Sequence, residues 1–201
     1  MRYQSYYLVA SVLLIIVVFQ GCAHNIKMKQ IPELKTGSPL SEIKPLTFEI
    51  KDFGDERAVK DIIGMQGGHK IKIDKKVTEI IAETISNELS RNGHKVLKFN
   101  DADMADVTIE GDVSRYWIDD RDYFFTFKII GTVEVKMAVT ATRSSYKPLL
   151  KTYKGTYYFD TSLILPTSLF RDIINQALLK MVEEFTTDPE FLDMLRGIKK
   201  S

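Results

Sequence analysis

The sequence predicts an α+β fold, a two-layer sandwich in which an antiparallel or mixed sheet carries two main helices on one face. Three observations predict this class. Several segments alternate apolar and polar residues with the period of two of a half-buried strand. Two other segments repeat apolar residues at helical spacing. The three candidate strands between residues 106 and 161 are joined by connections too short for a parallel crossover, which predicts antiparallel neighbours.

The strand candidates begin with "LTFEIKD", in which Leu46, Phe48 and Ile50 alternate with polar residues. A polar, glycine-containing loop is predicted at 64–70. The candidate at 149–161 follows the connection "SSYKP", and the candidate at 123–142 alternates apolar and polar residues most regularly. In chain order, strands are predicted at 46–52, 71–73, 94–99, 106–118, 123–142 and 149–161.

The first main helix is predicted at 74–92, where apolar residues recur on one stripe. Asp74 can accept a hydrogen bond as its N-cap, and Gly93 can supply the left-handed residue that ends it. The stripe consists of Val77, Ile80, Ile81, Ile85 and Leu89.

The second main helix is predicted to begin at Pro166, with Thr167 or Ser168 as its cap. Asp188 and Pro189 then predict the cap and first residue of a last short helix. The stripe that should cover the sheet consists of Phe170, Ile173, Ile174, Ala177, Leu178, Met181, Val182 and Phe185.

The first residues have the pattern of a secretory signal. Arg2 precedes an apolar stretch from Leu8 to Phe19, and the small residue Gly21 follows. The stretch has twelve residues, whereas a helix needs about 20 to span a bilayer. We therefore predict that residues 1–21 are a signal peptide.

Cys22 is the only cysteine, so it cannot form an internal disulfide in the oxidising compartment that an exported chain enters. With Gly21 behind the apolar stretch, it resembles the cysteine of bacterial lipoprotein signals, which is acylated and becomes the new amino terminus. The resemblance implies lipidation of Cys22 and attachment to a membrane through its acyl chains. Ala23, where aspartate tends to retain such proteins at the inner membrane, implies the outer membrane.

Three parts of the chain are predicted: the signal at 1–21, a lipidated cysteine with a flexible tether at 22–45, and a single domain at 46–201. The tether is predicted from three prolines and a Gly37-Ser38 pair. Extended at about 3.1 Å per residue, it could span roughly 70 Å.

The charge of the mature chain argues against a nucleic-acid partner. Removal of the signal takes one of the 28 basic residues, Arg2, and leaves 27 against 27 acidic residues. A nucleic-acid-binding domain would carry a basic excess or a basic stripe.

No motif predicts catalysis or metal binding. The sequence lacks Gly-x-Ser-x-Gly, His-Glu-x-x-His and a phosphate-binding loop, and its three histidines are dispersed. The acidic run at 101–106 has aspartate at the sixth and twelfth positions, where a calcium loop needs glycine and glutamate. We expect neither an enzyme nor a metal or other cofactor.

The order of elements resembles a bacterial family. Beside Gly21-Cys22, the residues that carry the resemblance are "ISNELSRNGHKV" (85–96), "ADVTIEGDVSRYWID" (105–119), "GTVEVKMAVTAT" (131–142) and "INQALLKMVEEFTTDPEFLDML" (174–195). Together they are similar to the YajG-like envelope lipoproteins, a mostly uncharacterised group. The resemblance implies a lipid-anchored domain that faces the periplasm and has no assigned reaction.

Tyr116, Trp117, Tyr123 and Phe125 flank a predicted turn at 119–122. Adjacent residues of a strand face opposite sides, so these rings cannot all enter one core. We expect some of them to form an exposed surface for a partner. In the alternative interpretation, edge positions and a second small core absorb them.

Two functions fit these observations. The first is a non-enzymatic binding or adaptor module, anchored in the envelope and recognising another envelope component, which is most simply a protein but could be linked to peptidoglycan. The second is an auxiliary lipoprotein of envelope lipid or ABC-type transport. An apolar cavity between sheet and helices would favour transport, and a filled core with an exposed aromatic patch would favour partner binding.

Overall fold

The described part of the chain forms a nine-stranded mixed sheet and three α-helices. The computed structural model describes residues 23–28, 31–34, 37–66, 68–97, 105–123, 126–142, 146–161 and 166–198, and the backbone alone at 122–123 and 126–127. The strands are β1 His24–Ile26, β2 Thr47–Ile50, β3 Gly54–Asp55, β4 Gly64–Gln66, β5 His69–Ile73, β6 Lys95–Leu97, β7 Val107–Tyr123, β8 Thr126–Ala141 and β9 Leu149–Thr161. The helices are α1 Val77–Arg91, α2 Thr167–Thr186 and α3 Pro189–Gly197.

Strand β7 organises the sheet because it pairs with four other strands. One edge pairs antiparallel with β8, which in turn pairs antiparallel with β9. The other edge pairs in parallel with β2, β3 and β4, one after another along its length. Strand β6 extends the sheet beyond β2, while β5 and β1 extend it beyond β4. The predicted α+β class and the antiparallel order of the long strands are confirmed.

The predicted apolar stripes of both main helices enter one continuous core against the sheet. Helix α2 packs so closely on β8 and β9 that only glycine fits at two positions. A Cβ atom at Gly155 would overlap the backbone of Ala177, and one at Gly131 would lie 2.9 Å from the Ile173 side chain. The layer between sheet and helix is therefore filled, as a native core requires.

A bulge in β7 decides which residues face this core. Val113 pairs with Val135 and Arg115 with Glu134, so Ser114 is an extra residue between them. The extra residue reverses the alternation beyond it. Tyr116 therefore points into the core, where it is 0% exposed. Its predicted place on a partner surface is wrong for this reason.

The helix ends agree only in part with the predicted caps. Lys76, not Asp74, occupies the N-cap position of α1, and Asp74 instead accepts a hydrogen bond from the Met28 N–H at 3.0 Å. Gly93 has a φ of 86°, the left-handed conformation predicted for the end of α1. Pro166 is the N-cap of α2, so the two candidate cap residues lie inside that helix. Asp188 caps α3 as predicted and accepts from the Glu190 N–H at 3.0 Å.

The segment at 64–70, predicted as a loop, belongs to a hairpin of β4 and β5. Gly68 has a φ of 82° in the turn, a conformation that glycine adopts at little cost. Gly64 lies directly against Ile118 of β7, where a Cβ would be 2.5 Å from the Ile118 carbonyl oxygen. The glycines thus serve a tight turn and a close strand approach.

The described part of the predicted tether is packed onto the domain. Strand β1 pairs in parallel with β5, and its Ile26 is 1% exposed. Leu40, in a short 3-10 helix at Pro39–Glu42, is 0% exposed in the same core. The Leu34 carbonyl accepts a hydrogen bond from Arg91 at 2.7 Å. The expectation of a flexible tether over 22–45 is therefore wrong for the residues that the structure describes.

His94 is buried where this segment runs into the first residues of the domain. Its Nδ1 accepts a hydrogen bond from the Leu46 N–H at 3.2 Å, and its ring packs edge-on against Phe48. Burial lowers the pKa of His94, and the Leu40 carbonyl offsets this effect only in part.

We expect protonation of His94 to destabilise the domain at mildly acidic pH. The unfolded chain protonates this ring near its ordinary pKa of about 6.5, whereas the folded chain does so only at lower pH. The unfolded state therefore binds more protons in this window, and the free energy of unfolding should fall as the pH drops through it. Urea unfolding of the wild type and of His94→Gln above and below that pH measures the effect. An equal fall in both proteins would contradict it.

Candidate functional site

In the part of the chain that the structure describes, no helix packs on one face of the long strands β7, β8 and β9, the face opposite the one that α2 covers. We call this the outer face. It carries the even-numbered side chains of β8 from residue 128 onward and of β9, together with those of β7 up to residue 121 that point away from the core. Tyr158 is 55% exposed on it and Leu150 74% exposed. Single exposed apolar side chains are common on protein surfaces, so what matters is whether such residues adjoin one another in a patch.

The centre of this face is apolar and aromatic. Trp117 pairs with Thr132, and Thr132 pairs with Thr156 on the next strand. Ile130 pairs with Tyr158. We call these five residues the outer patch. Ile130 and Thr132 are only 9% and 5% exposed, whereas Trp117 and Tyr158 beside them remain accessible. The two rings therefore form the accessible aromatic part of the outer patch.

Polar contacts fix the orientation of the Trp117 ring. Its Nε1–H donates to Asp119 Oδ1 at 2.8 Å, and Arg115 donates to Asp119 Oδ2 at 2.7 Å. On the other side of the patch, Lys128 Nζ lies 4.9 Å from the centre of the Tyr158 ring. Both rings are thus held before any partner arrives, which reduces the entropy lost on binding.

The outer face continues as an open groove of about 690 Å³ at the opposite end of the strands. Its charged groups are partly paired, since Lys51 contacts Glu110 at 3.3 Å and Lys136 contacts Glu56 at 2.9 Å. The Glu56 carboxylate raises the pKa of Lys136, so this lysine stays charged. The lining includes Asp52, Glu110, Asp112, Lys136, Leu150 and Thr152.

The predicted site residues separate in the structure. Trp117 lies on the outer face, as expected of a partner surface, and Tyr116 lies in the core. The side chains of Tyr123 and Phe125, and all of Cys22, lie outside the described residues. Tyr158 was not among the predicted site residues. The alternation within "TYYFDT" places it on the polar face of β9, but only the pairing with β8 brings it beside Ile130.

Two buried titratable groups, Tyr116 and Arg57, lie in positions that serve the fold. Burial raises the pKa of Tyr116, against a smaller opposite effect of the Arg57 charge. Arg57 donates to both carboxylate oxygens of Asp55 and to the carbonyls of Ile62 and Lys60, so it holds the loop before β4.

Among the described residues, no group of three or more His, Cys, Asp and Glu side chains could hold a metal ion. None of the described helices is both long and apolar enough to cross a bilayer.

We expect Asp119→Ala to release the ring of Trp117 without unfolding the domain. Trp117 is the only tryptophan, so its emission reports on the outer patch alone. The emission should move to longer wavelength and become easier to quench with acrylamide. The free energy of unfolding should change by less than about 1 kcal/mol, because the Arg115 and Asp119 pair is partly exposed.

Asp193→Ala is the matched control for this substitution. It removes a similar pair with Arg196, 2.9 Å long, from α3 on the other side of the sheet. Its Trp117 emission should equal that of the wild type. If Asp119→Ala also leaves the emission unchanged, Asp119 does not position the ring.

Comparison with solved structures finds similar chains in other bacteria, one of which superposes with a TM-score above 0.5. Protein XCC0632 from Xanthomonas campestris superposes with a TM-score of 0.56 at 12% identity, over 81% of this chain and 91% of that chain. Uncharacterized lipoprotein B from Nitrosomonas europaea gives a TM-score of 0.40 at 12% identity, over 80% and 96%. Lipoprotein GNA1162 from Neisseria meningitidis gives 0.33 at 14% identity, over 66% and 97%. No match is found among curated protein sequences.

A sequence model of a protein family shows which family the chain belongs to, whereas the structures show only its fold. The profile described as "Uncharacterized lipoprotein" matches residues 52–196, which is most of the folded part. The family resemblance read from the sequence is thus confirmed at the level of an uncharacterised lipoprotein family. This chain belongs to that family of uncharacterised bacterial lipoproteins.

Proposed function

We propose that this lipoprotein is a non-enzymatic binding or adaptor module of the cell envelope. Acyl chains on Cys22 anchor it to the outer membrane, its domain faces the periplasm, and the outer patch binds an envelope protein. The observation that carries the proposal is the open outer face, on which Trp117 and Tyr158 flank a nearly buried Ile130.

The anchor is supported by two independent observations. The chain belongs to a lipoprotein family through residues 52–196, a match that does not include the signal. The Gly21-Cys22 pair behind a short apolar stretch then supplies the acceptor that such a protein needs. Two or more acyl chains would hold the protein stably, since each buried CH₂ contributes about 0.8 kcal/mol.

The outer patch has the composition of a protein-binding surface. Tryptophan, tyrosine and arginine dominate the binding energy of protein interfaces, and they act best when neighbouring groups exclude water from them. Trp117 and Tyr158 are such residues, and Arg115, Asp119 and Lys128 form a charged rim around them. An apolar centre within a polar rim is the usual anatomy of a specific interface.

The alternative function, lipid handling in transport, would require room for an acyl chain between sheet and helices. That layer is filled at the positions where α2 crosses β8 and β9. Gly155 and Gly131 leave no space even for a methyl group at these crossings. The packing therefore supports a binding module over a lipid carrier.

We expect Cys22→Ser to move the protein from the membrane fraction to the soluble envelope fraction, because serine accepts no acyl chain in this pathway. Immunoblotting of separated fractions measures the change. Thermal unfolding of the released protein should match that of the wild-type domain. Unchanged membrane retention of Cys22→Ser would contradict the anchor.

The partner can be trapped with a photo-crosslinking residue at position 158 of the anchored protein in living cells. We expect one discrete protein adduct, lost when Trp117→Ala is added, because both rings contact the partner. The same residue at Gln176, exposed on α2 across the sheet, is the matched control and should give no such adduct. A lipid adduct from position 158 would favour the transport function, and adducts of equal yield from 158 and 176 would contradict an outer-face site.

A further inference from the structure

Two of the three histidines lie beside each other at the start of α2, although they are far apart in the sequence. His24 of β1 is level with Ile71 of β5, and the two strands run parallel. Side chains alternate along a strand, so His69 shares the face of the buried Ile71. Both imidazoles therefore lie at the rim of the core, on the face that α2 covers. Their ring centres are 6.1 Å apart.

Contacts with α2 hold the ring of His24. Its Nδ1 lies 3.2 Å from the Thr167 hydroxyl oxygen, and its ring centre is 5.6 Å from that of Phe170. When the Nδ1–H donates to this hydroxyl, Nε2 keeps its lone pair. Histidines that bind metals have this arrangement, in which a partner of one ring nitrogen fixes the tautomer and leaves the other nitrogen to coordinate. The Thr167 contact thus prepares His24 as a ligand.

The separation of the two rings is compatible with two imidazoles on one ion. A Zn–N bond of about 2.1 Å puts each ring centre about 3.2 Å from the ion, so the centres can be at most about 6.4 Å apart. The observed 6.1 Å lies within this limit. His69 is exposed, so its ring can turn toward the ion, and the ion can enter from the solvent.

We propose that His24 and His69 bind a Zn²⁺ ion that clamps β1 to β5, with water molecules completing the coordination. Imidazole nitrogen suits Zn²⁺, whereas Ca²⁺ and Mg²⁺ require oxygen ligands. The described residues offer no group of three or more ligands, so this is a site with two protein ligands. Structural zinc sites have four, so the ion at His24 and His69 should exchange with free Zn²⁺.

The clamp would act on the N-terminal strand. β1 has three residues and pairs with β5 alone in the described structure. An ion held by both strands binds only while β1 is paired, and a ligand that binds one of two states shifts the equilibrium toward that state. Zn²⁺ would therefore keep the N-terminal segment on the domain. The proposal depends neither on the outer patch nor on acylation of Cys22.

Calorimetric titration with Zn²⁺ tests the site. The full-length chain with Cys22→Ser, kept in detergent and stripped with EDTA, is the parent protein, because this substitution removes the only thiol. We expect the parent to bind one Zn²⁺ per chain. Adding His69→Gln, at an exposed position, should weaken the affinity by at least about tenfold, because losing a ligand costs no less than losing the partner that orients one.

His94→Gln is the matched control, because it removes the third histidine, whose side chain is buried elsewhere in the domain. It should bind Zn²⁺ as tightly as the parent. If this variant does not fold, Lys70→Gln replaces it, since Lys70 is exposed next to His69. An affinity that His69→Gln leaves unchanged would overturn the proposal, and so would an equal loss in His69→Gln and the control.

Two further measurements separate binding from clamping. Cu²⁺ binds nitrogen ligands more tightly than Zn²⁺, and its pulsed electron paramagnetic resonance spectrum counts the coordinated imidazoles. We expect two imidazoles in the parent and one in His69→Gln, and fewer than two in the parent would contradict the site. Zn²⁺ should also slow amide hydrogen exchange at residues 24–26 in the parent but not in His69→Gln. Exchange that Zn²⁺ does not change would refute the clamp even if the ion binds.

Discussion

The rest of the structure depends on how β7 divides its side chains between two faces. It pairs with four other strands, so its alternation sets the facing of β8 and β2 as well. The extra residue Ser114 changes that alternation midway, and its hydroxyl donates to Glu134 on β8. Without the bulge, Arg115 and Trp117 would point at α2 and Tyr116 at solvent. One extra residue therefore decides that Tyr116 enters the core and that Trp117 joins the outer patch.

The N-terminal segment completes the core from outside the matched family region. Its apolar residues are few and irregularly spaced, yet Ile26, Leu40 and Ile43 are buried. His94 and Arg91 bind its backbone at two places, through the Leu46 N–H and the Leu34 carbonyl. A segment held by both apolar burial and hydrogen bonds behaves as part of the domain, because its release would expose both at once.

The periodic elements could be predicted from the sequence, since their signals are local. Helix α2 and the long strands follow patterns of 3.6 and 2 residues, and Asp188 caps α3 by a contact two residues away. The bulge at Ser114 leaves no such local signal, so the facing of Tyr116 and Trp117 could not be derived. The short strands at 24–26 and 64–66 are likewise defined by partners far along the chain. The prolines of the N-terminal segment suggested a tether because linkers and packed irregular segments share that composition.

Strand β9 favours the outer face over the sheet edge as the place where the proposed partner would bind. In the described structure β9 pairs only with β8, so its other side is an edge. Unprotected edges invite pairing with other chains, and proteins guard them with charge. Here the Glu184 carboxylate accepts a hydrogen bond from the backbone N–H of Lys154 on β9 at 2.7 Å. Lys151, on the same strand, places its Nζ 2.9 Å from Asp188 Oδ2. An incoming strand would have to displace these groups and leave charges unpaired. Covering Trp117 and Tyr158 of the outer patch displaces neither group, so the proposed partner would lose less there than by extending the sheet.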